Sequence, residues 1–101
     1  MRVAIFEYKM RADADLDAYR ELADRMNALV GSDERFGYVD QKEFTGSDGS
    51  KLFLEFFRDA DGMRAWAENP DHREAQRRGR EVFYEWYRVT VCDIAYERAR
   101  P

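Results

Sequence analysis

Cysteine and histidine are almost missing from this chain, with one of each, Cys92 and His72. A lone cysteine cannot form an internal disulfide, so nothing calls for an oxidising compartment. One His and one Cys also fall short of a zinc or iron–sulfur ligand set. No apolar run approaches the roughly 20 residues that a membrane-spanning helix needs. The N-terminus MRVAIFEYKMR meets charge at Glu7 and Lys9, too early for a signal-peptide core, and a cytoplasmic location is the expectation. The glycines build no phosphate-cradling loop. Ser32, Ser47 and Ser50 fall in turns without an adjacent base, which leaves a hydrolase triad unsupported. Positive charge is not in excess: the net charge is −4, which argues against nucleic acid as a partner. Internal repeats, low-complexity tracts and linkers are absent as well.

What is present reads as a single domain, residues 1–101, because 101 residues leave no room for a second core. RVAIFEYKM (2–10) is a β-prone run closed by the polar turn RADAD, where Asp13 or Asp15 can cap a helix. From Leu16 to Val30 the apolar residues fall at helical spacing, and Gly31 is a plausible stop. FGYVDQKEF (36–44) and KLFLEFF (51–57) predict two strands joined through TGSDGS. Asp59 is placed to cap a short helix ending at Trp66. Asn69 and Pro70 open a second helix, as cap and first residue, which runs to about Phe83. YRVTVCDIAYE (87–97) predicts the last strand, and residues 96–101 a frayed tail.

The order is β-α-β-β-α-β, an α+β, ferredoxin-like arrangement: a four-stranded antiparallel sheet with both helices on one face. The strands are nevertheless apolar on both faces. Leu52, Leu54 and Phe56 oppose Phe53 and Phe57; Ala4, Phe6 and Tyr8 oppose Val3 and Ile5; Cys92 and Ile94 oppose Val89 and Val91. A sheet that is apolar on both sides and covered by helices on one implies a partner surface. A second copy of the chain, packed sheet to sheet, is the expected partner.

The rare and chemically capable residues gather in one stretch, WAENPDHREAQRRGREVFYEWY (66–87). His72, Ala75, Gly79, Val82, Phe83 and Trp86 recur at steps of three or four, as one helix face; Arg73, Arg77 and Arg80 occupy another. Ala75 and Gly79 permit close packing or leave space. His72 falls in a first helical turn, where the dipole disfavours a cation. A neutral histidine there can take a proton from a phenol or enol, or ligate iron. Trp66, Tyr84, Trp86 and Tyr87 are either core or the wall of a pocket for a flat aromatic ligand. The arginines are either a solvated face paired with Glu74, Glu81 and Glu85, or the source of one cation, Arg77 or Arg80, for a substrate carboxylate or a haem propionate.

AWAENPDHREAQRRGREVFYEWYRVTVCDI, preceded by a hairpin and the DADGMRAW helix, resembles the antibiotic biosynthesis monooxygenase family of dimeric α/β barrels. That resemblance implies a homodimeric barrel and one of two activities. The first is cofactor-independent oxidation of a small aromatic or polycyclic substrate, of quinol or anthrone type, by dioxygen. The second is haem binding or haem cleavage, with His72 as the axial ligand. The W-x5-H interval is shorter than haem-degrading members use, and the first strand offers Glu7 and Tyr8 where those members carry asparagine. A non-catalytic dimeric accessory module is a third reading. The expected site is His72, Trp66 and Tyr84 as catalytic residues, with Tyr8, Phe83, Trp86 and Arg77 against the substrate and no metal.

Overall fold

The computed structural model describes all 101 residues. Four strands, β1 (Arg2–Met10), β2 (Tyr38–Thr45), β3 (Lys51–Phe57) and β4 (Tyr84–Asp93), alternate with α1 (Leu16–Val30), α2 (Ala60–Glu68) and α3 (Pro70–Arg78). The sheet order is β2-β3-β1-β4 and every neighbouring pair is antiparallel. This is the expected ferredoxin-like arrangement.

Local chemistry sets most boundaries. Asp15, rather than Asp13, caps α1 by accepting from the Ala18 N–H, and Gly31 closes it with an N–H to the Leu29 carbonyl. Asp59 accepts from the Gly62 N–H and opens α2, which runs two residues beyond Trp66. Asn69 accepts from the N–H groups of Asp71 and His72, with Pro70 following as the first helical residue.

Three departures from the expected elements share one cause: backbone geometry that sequence periodicity does not encode. Residues Glu34–Phe36 form a 3-10 turn closed by Gly37 at φ 65°, so β2 starts at Tyr38 and not at Phe36. The second long helix changes pitch at Gly79 and finishes as a π turn, Gly79–Phe83. Because that turn ends the helix abruptly, β4 begins at Tyr84, three residues earlier than predicted, and finishes at Asp93 rather than residue 97. The Gly79 N–H reaches both the Ala75 and Gln76 carbonyls. Widening the helix here also breaks the predicted apolar face. Gly79 and Phe83 are buried, but Val82 is exposed and Trp86 belongs to β4.

The strand parity matches the two-sided pattern, as the register shows: Phe6 pairs with Phe53 and Val89, and Ile5 with Leu54 and Thr90. Helices cover the Phe6 side only. Beneath them, Val30, Phe36, Phe57 and Trp66 form a small dry core with Met26, Leu29, Tyr38 and Met63 packed around it. Gly62 lets α2 rest on the 3-10 turn, since a Cβ there would overlap the Phe36 carbonyl. Only 10 of 101 residues are buried, and a cavity occupies part of the space between helices and sheet.

Candidate functional site

That cavity has a volume of about 720 Å³ and lies over β1 and β3 beneath α1, α2 and α3. It is apolar in the main, with a few polar groups converging on it, as small-molecule sites are. Trp66, His72, Tyr84 and Tyr8, four of the residues expected from sequence, all line it.

Trp66 and His72 form one unit. The imidazole stacks on the indole at 4.1 Å between centroids, with 16° between planes. His72 Nδ1 lies 3.0 Å from the Trp66 carbonyl oxygen. A carbonyl can only accept, so Nδ1 carries the proton and Nε2 the lone pair. Burial holds the imidazole below its ordinary pKa, opposed by the Trp66 hydrogen bond. It is therefore a neutral acceptor at pH 7. Trp66 itself is 4% exposed, and its Nε1–H is buried without an acceptor. A native protein seldom leaves such a donor unpaired.

The far wall is phenolic. Tyr8 donates to Glu43 Oε1 at 2.6 Å, and the hydroxyls of Tyr19 and Tyr84 share a hydrogen bond of 3.0 Å. The Tyr8 and Tyr84 rings lie 5.2 Å apart, and Phe6 stacks on Tyr8 at 4.9 Å. Burial is the first cause that pushes all three phenols above their ordinary pKa. They are neutral donors at any physiological pH. Gly79 makes room for Tyr84, whose ring would overlap a Cβ at that position. The close-packing use of this glycine is therefore the observed one.

Two bulges aim this wall. Met10 pairs with Tyr84 but Lys9 with Trp86, leaving Glu85 as the extra residue. Tyr84 and Tyr87, three apart, thereby share the cavity side, while Trp86 turns to the opposite face. On β2, Tyr38 pairs with Phe57 and Asp40 with Phe56, so Val39 is extra and Gln41 comes to the helix-facing side.

The remaining expected residues are placed elsewhere. Trp86 lies on the other face beside Glu7, Phe44 and Leu52, because the bulge reverses its parity. Phe83 is buried against Tyr19, at 5.2 Å, behind the wall. Arg77 points to solvent and is engaged by both Glu74 and Glu81, the solvated-face alternative. Arg80 reaches the cavity instead.

Several residues of the site escaped sequence reasoning. Tyr19 was one apolar position among many on α1. Arg11 sits in the polar turn after β1, yet its guanidinium donates to the carbonyls of Tyr84, Glu81 and Arg80 at 3.0, 2.6 and 3.2 Å. It ties the π turn to the end of β1, and no local pattern announces it. Glu55 lies on the cavity floor, and burial raises its carboxyl to about 7. Its signal was legible: it is the one acid in KLFLEFF, between Phe53 and Phe57 on the helix-facing parity. His, Cys, Asp and Glu nowhere gather in a group of three or more that could hold a metal ion, and no helix is long and apolar enough to cross a membrane.

Among known proteins, no family model matches the chain. The uncharacterized protein YqjZ of Bacillus subtilis is 28% identical over 80 residues, covering 79% of this chain and 68% of its own. Rv0793 from Mycobacterium tuberculosis superposes with a TM-score of 0.78 at 21% identity, over 98% of this chain and all of that one. SnoaB, a cofactor-independent oxygenase from Streptomyces nogalater, gives 0.75 at 11% identity over 95% and 94% of the two chains. A structure of an antibiotic biosynthesis monooxygenase gives 0.76 at 12% identity, over 95% and 100%. In architecture, then, the chain has the ferredoxin-like fold of the antibiotic biosynthesis monooxygenases.

Proposed function

We propose that the protein is a cofactor-independent monooxygenase that oxidises a small aromatic or polycyclic substrate of quinol or anthrone type with dioxygen. The observation that carries this reading is the Trp66–His72 unit: a neutral histidine whose free nitrogen is an acceptor, stacked on an indole whose buried N–H is unpaired, the two residues forming part of the wall of an aromatic cavity. An oxygen that becomes anionic as its proton leaves needs such a donor, and the proton needs such an acceptor. Tyr8, Tyr84 and Phe6 supply the apolar walls that orient a planar ring and exclude water. The fold shared with SnoaB supports the same chemistry, as an analogy of architecture.

Haem is the second reading, and one observation favours it. His72 Nδ1 is anchored on a backbone carbonyl, the arrangement that orients a metal-binding imidazole. His72 would hold the iron through Nε2, and haem would supply iron-centred oxygen activation.

We also propose that the sheet face opposite the helices is covered by a second copy of the chain. Val3, Ile5, Leu52, Leu54 and Phe56 form it, with Phe44 and Trp86 more than two-fifths exposed at its ends. A contiguous apolar surface of this kind marks an interaction site.

The test is turnover of dithranol, an anthrone, with tryptophan fluorescence as the binding readout. His72→Ala is expected to lower kcat roughly 10²–10⁴-fold, and Trp66→Phe to weaken binding while leaving the fold intact. Unchanged turnover in His72→Ala, with Trp66→Phe only lowering the Tm, would mean that these residues are core. A hemin Soret shift that vanishes in His72→Ala would instead select haem.

A further inference from the structure

Glu55 is the one charged side chain on the cavity side of β3 between Phe53 and Phe57. Its cross-strand neighbours are Ala4 and Gln41, and it takes part in none of the ion pairs. Gln41 Oε1 is buried with no donor. A carboxyl without a cation therefore stands opposite an amide oxygen without a donor. Protonated, Glu55 carries a donor on the same side of the sheet as that oxygen.

The charged and titratable groups around it leave that state undisturbed. On β1, Arg2 is committed to Asp93 at 2.7 Å. On β2, Glu43 accepts from Tyr8, and Tyr38 is a phenol that the Glu55 charge itself pushes upward, after burial. On β3, Lys51 donates to Thr45 Oγ1 at 2.7 Å. Tyr19, Arg20 and Asp24 line the cavity from α1, His72 from α3, Arg80 from the π turn, Tyr84 and Tyr87 from β4 and Tyr8 from β1, while α2 contributes only Met63, Trp66 and Ala67. With burial as its cause, the raised carboxyl, at about 7, is poised to give and take a proton near neutrality.

We infer that Glu55 is the second proton-transfer group of this cavity: it protonates the peroxide formed from dioxygen and then takes a proton from the substrate carbon. The inference rests on the oxygenase reading above. With an anthrone-type substrate as its enol, His72 takes the O–H proton. The anion gives its electrons to dioxygen, and a carbon–oxygen bond forms, leaving a peroxide anion. Glu55 protonates that anion and becomes a carboxylate. The carboxylate removes the remaining hydrogen of the same carbon, the freed electron pair closes the carbonyl, and the O–O bond breaks. The departing hydroxide takes the proton held by His72 and leaves as water. One oxygen atom ends in the carbonyl and the other in water; both proton carriers return to their starting states.

The experiment combines dithranol kinetics with ¹³C NMR of side-chain-labelled glutamate in wild type, Glu55→Gln and Glu55→Asp. One carboxyl resonance is expected to titrate near neutrality and to be missing in Glu55→Gln. In that variant kcat is expected to fall roughly 10²–10⁴-fold with fluorescence-detected binding unchanged. The limb of the pH–kcat profile near neutrality should vanish and the hydroperoxide accumulate; Glu55→Asp, which keeps a carboxyl, should restore part of both. If wild type oxidises dithranol and Glu55→Gln does so at the same rate with the same profile, the role of Glu55 is overturned and the oxygenase reading stands. An ordinary carboxylate titration for Glu55 overturns it equally. If wild type leaves dithranol untouched, the oxygenase reading falls and this step with it.

Discussion

On the helix-facing side of the sheet, β1 and β3 present Ala4, Phe6, Tyr8, Phe53 and Phe57 interrupted by Glu55. On the opposite side they present Val3, Ile5, Leu52, Leu54 and Phe56, interrupted by Glu7, which is paired with Arg88 at 3.0 Å. Both sides are strongly apolar, and a hydropathy pattern cannot rank them. They differ in what becomes of their polar groups. On the uncovered side the acid keeps a cation at the rim. On the covered side Glu55 has no cation, Gln41 Oε1 no donor and Trp66 Nε1 no acceptor. Unsatisfied polar groups are tolerated where a ligand can complete them, and a packing surface has no use for them. The covered face thus holds polar groups that only a ligand could complete, and the uncovered face holds an apolar surface whose acid is already paired.

The largest effect is expected from a charge placed on the uncovered face, which the proposed dimer would bury. Leu54 is central on β3, opposite Ile5, and Leu54→Asp is expected to dissociate or unfold the protein, since burying an unpaired charge costs several kcal/mol. Sedimentation of wild type should give twice the 12.0 kDa chain mass. A wild-type monomer at micromolar concentration, or a Leu54→Asp protein with unchanged mass and Tm, would remove the face-to-face arrangement. Cys92, opposite Val3, lies on the same side as Leu54, whereas Phe53 lines the cavity.

A smaller effect should come from the acid on the chemical face. Burial raises Glu55 from 4.5 to about 7 on folding, so between those values the unfolded chain gives up a proton that the folded chain keeps. Stability is then fully present below pH 4.5, falls as pH rises through 7, and is lower by roughly 3 kcal/mol above it. Glu55→Gln is expected to flatten this slope and to be more stable than wild type at pH 8 in urea melts. Identical pH profiles for the two proteins would show a Glu55 carboxylate that is solvated.

The smallest expected effect is at Arg77, which the sequence offered as a substrate contact and the fold turns outward. It is engaged by Glu74 and Glu81 on an exposed face, where ion pairs contribute little and salt screens them. Arg77→Ala should leave the Tm and dithranol binding unchanged, whereas Arg80→Ala, on the cavity side, should alter binding. A loss of binding in Arg77→Ala alone would reverse that assignment.

Much of the architecture is legible in the sequence. The β1, α1 and β3 boundaries follow from alternation, helical spacing and caps at Asp15, Asp59 and Asn69, all of which are local interactions within a few residues. Half of the site was legible too, because Trp66 and His72 flank a cap that fixes them on consecutive helices, six residues apart, where one can reach the other. Tyr84 and Trp86 could not be sorted in the same way. They are two residues apart at a bulge, beside which Arg11, distant in sequence, holds the π turn against β1.

The sequence by itself thus determined the element order, the caps and the apolarity of both sheet faces, since these depend on each residue's own preferences and near neighbours. Only the tertiary structure decided which aromatic residues face the cavity, that Glu55 sits on its floor without a cation, and that Arg77 faces water. Those outcomes depend on side-chain direction, which one extra residue in a strand or a helical turn reverses or rotates. They also depend on burial, which is a property of the whole packed chain and shifts the titration of Glu55, His72 and the three phenols.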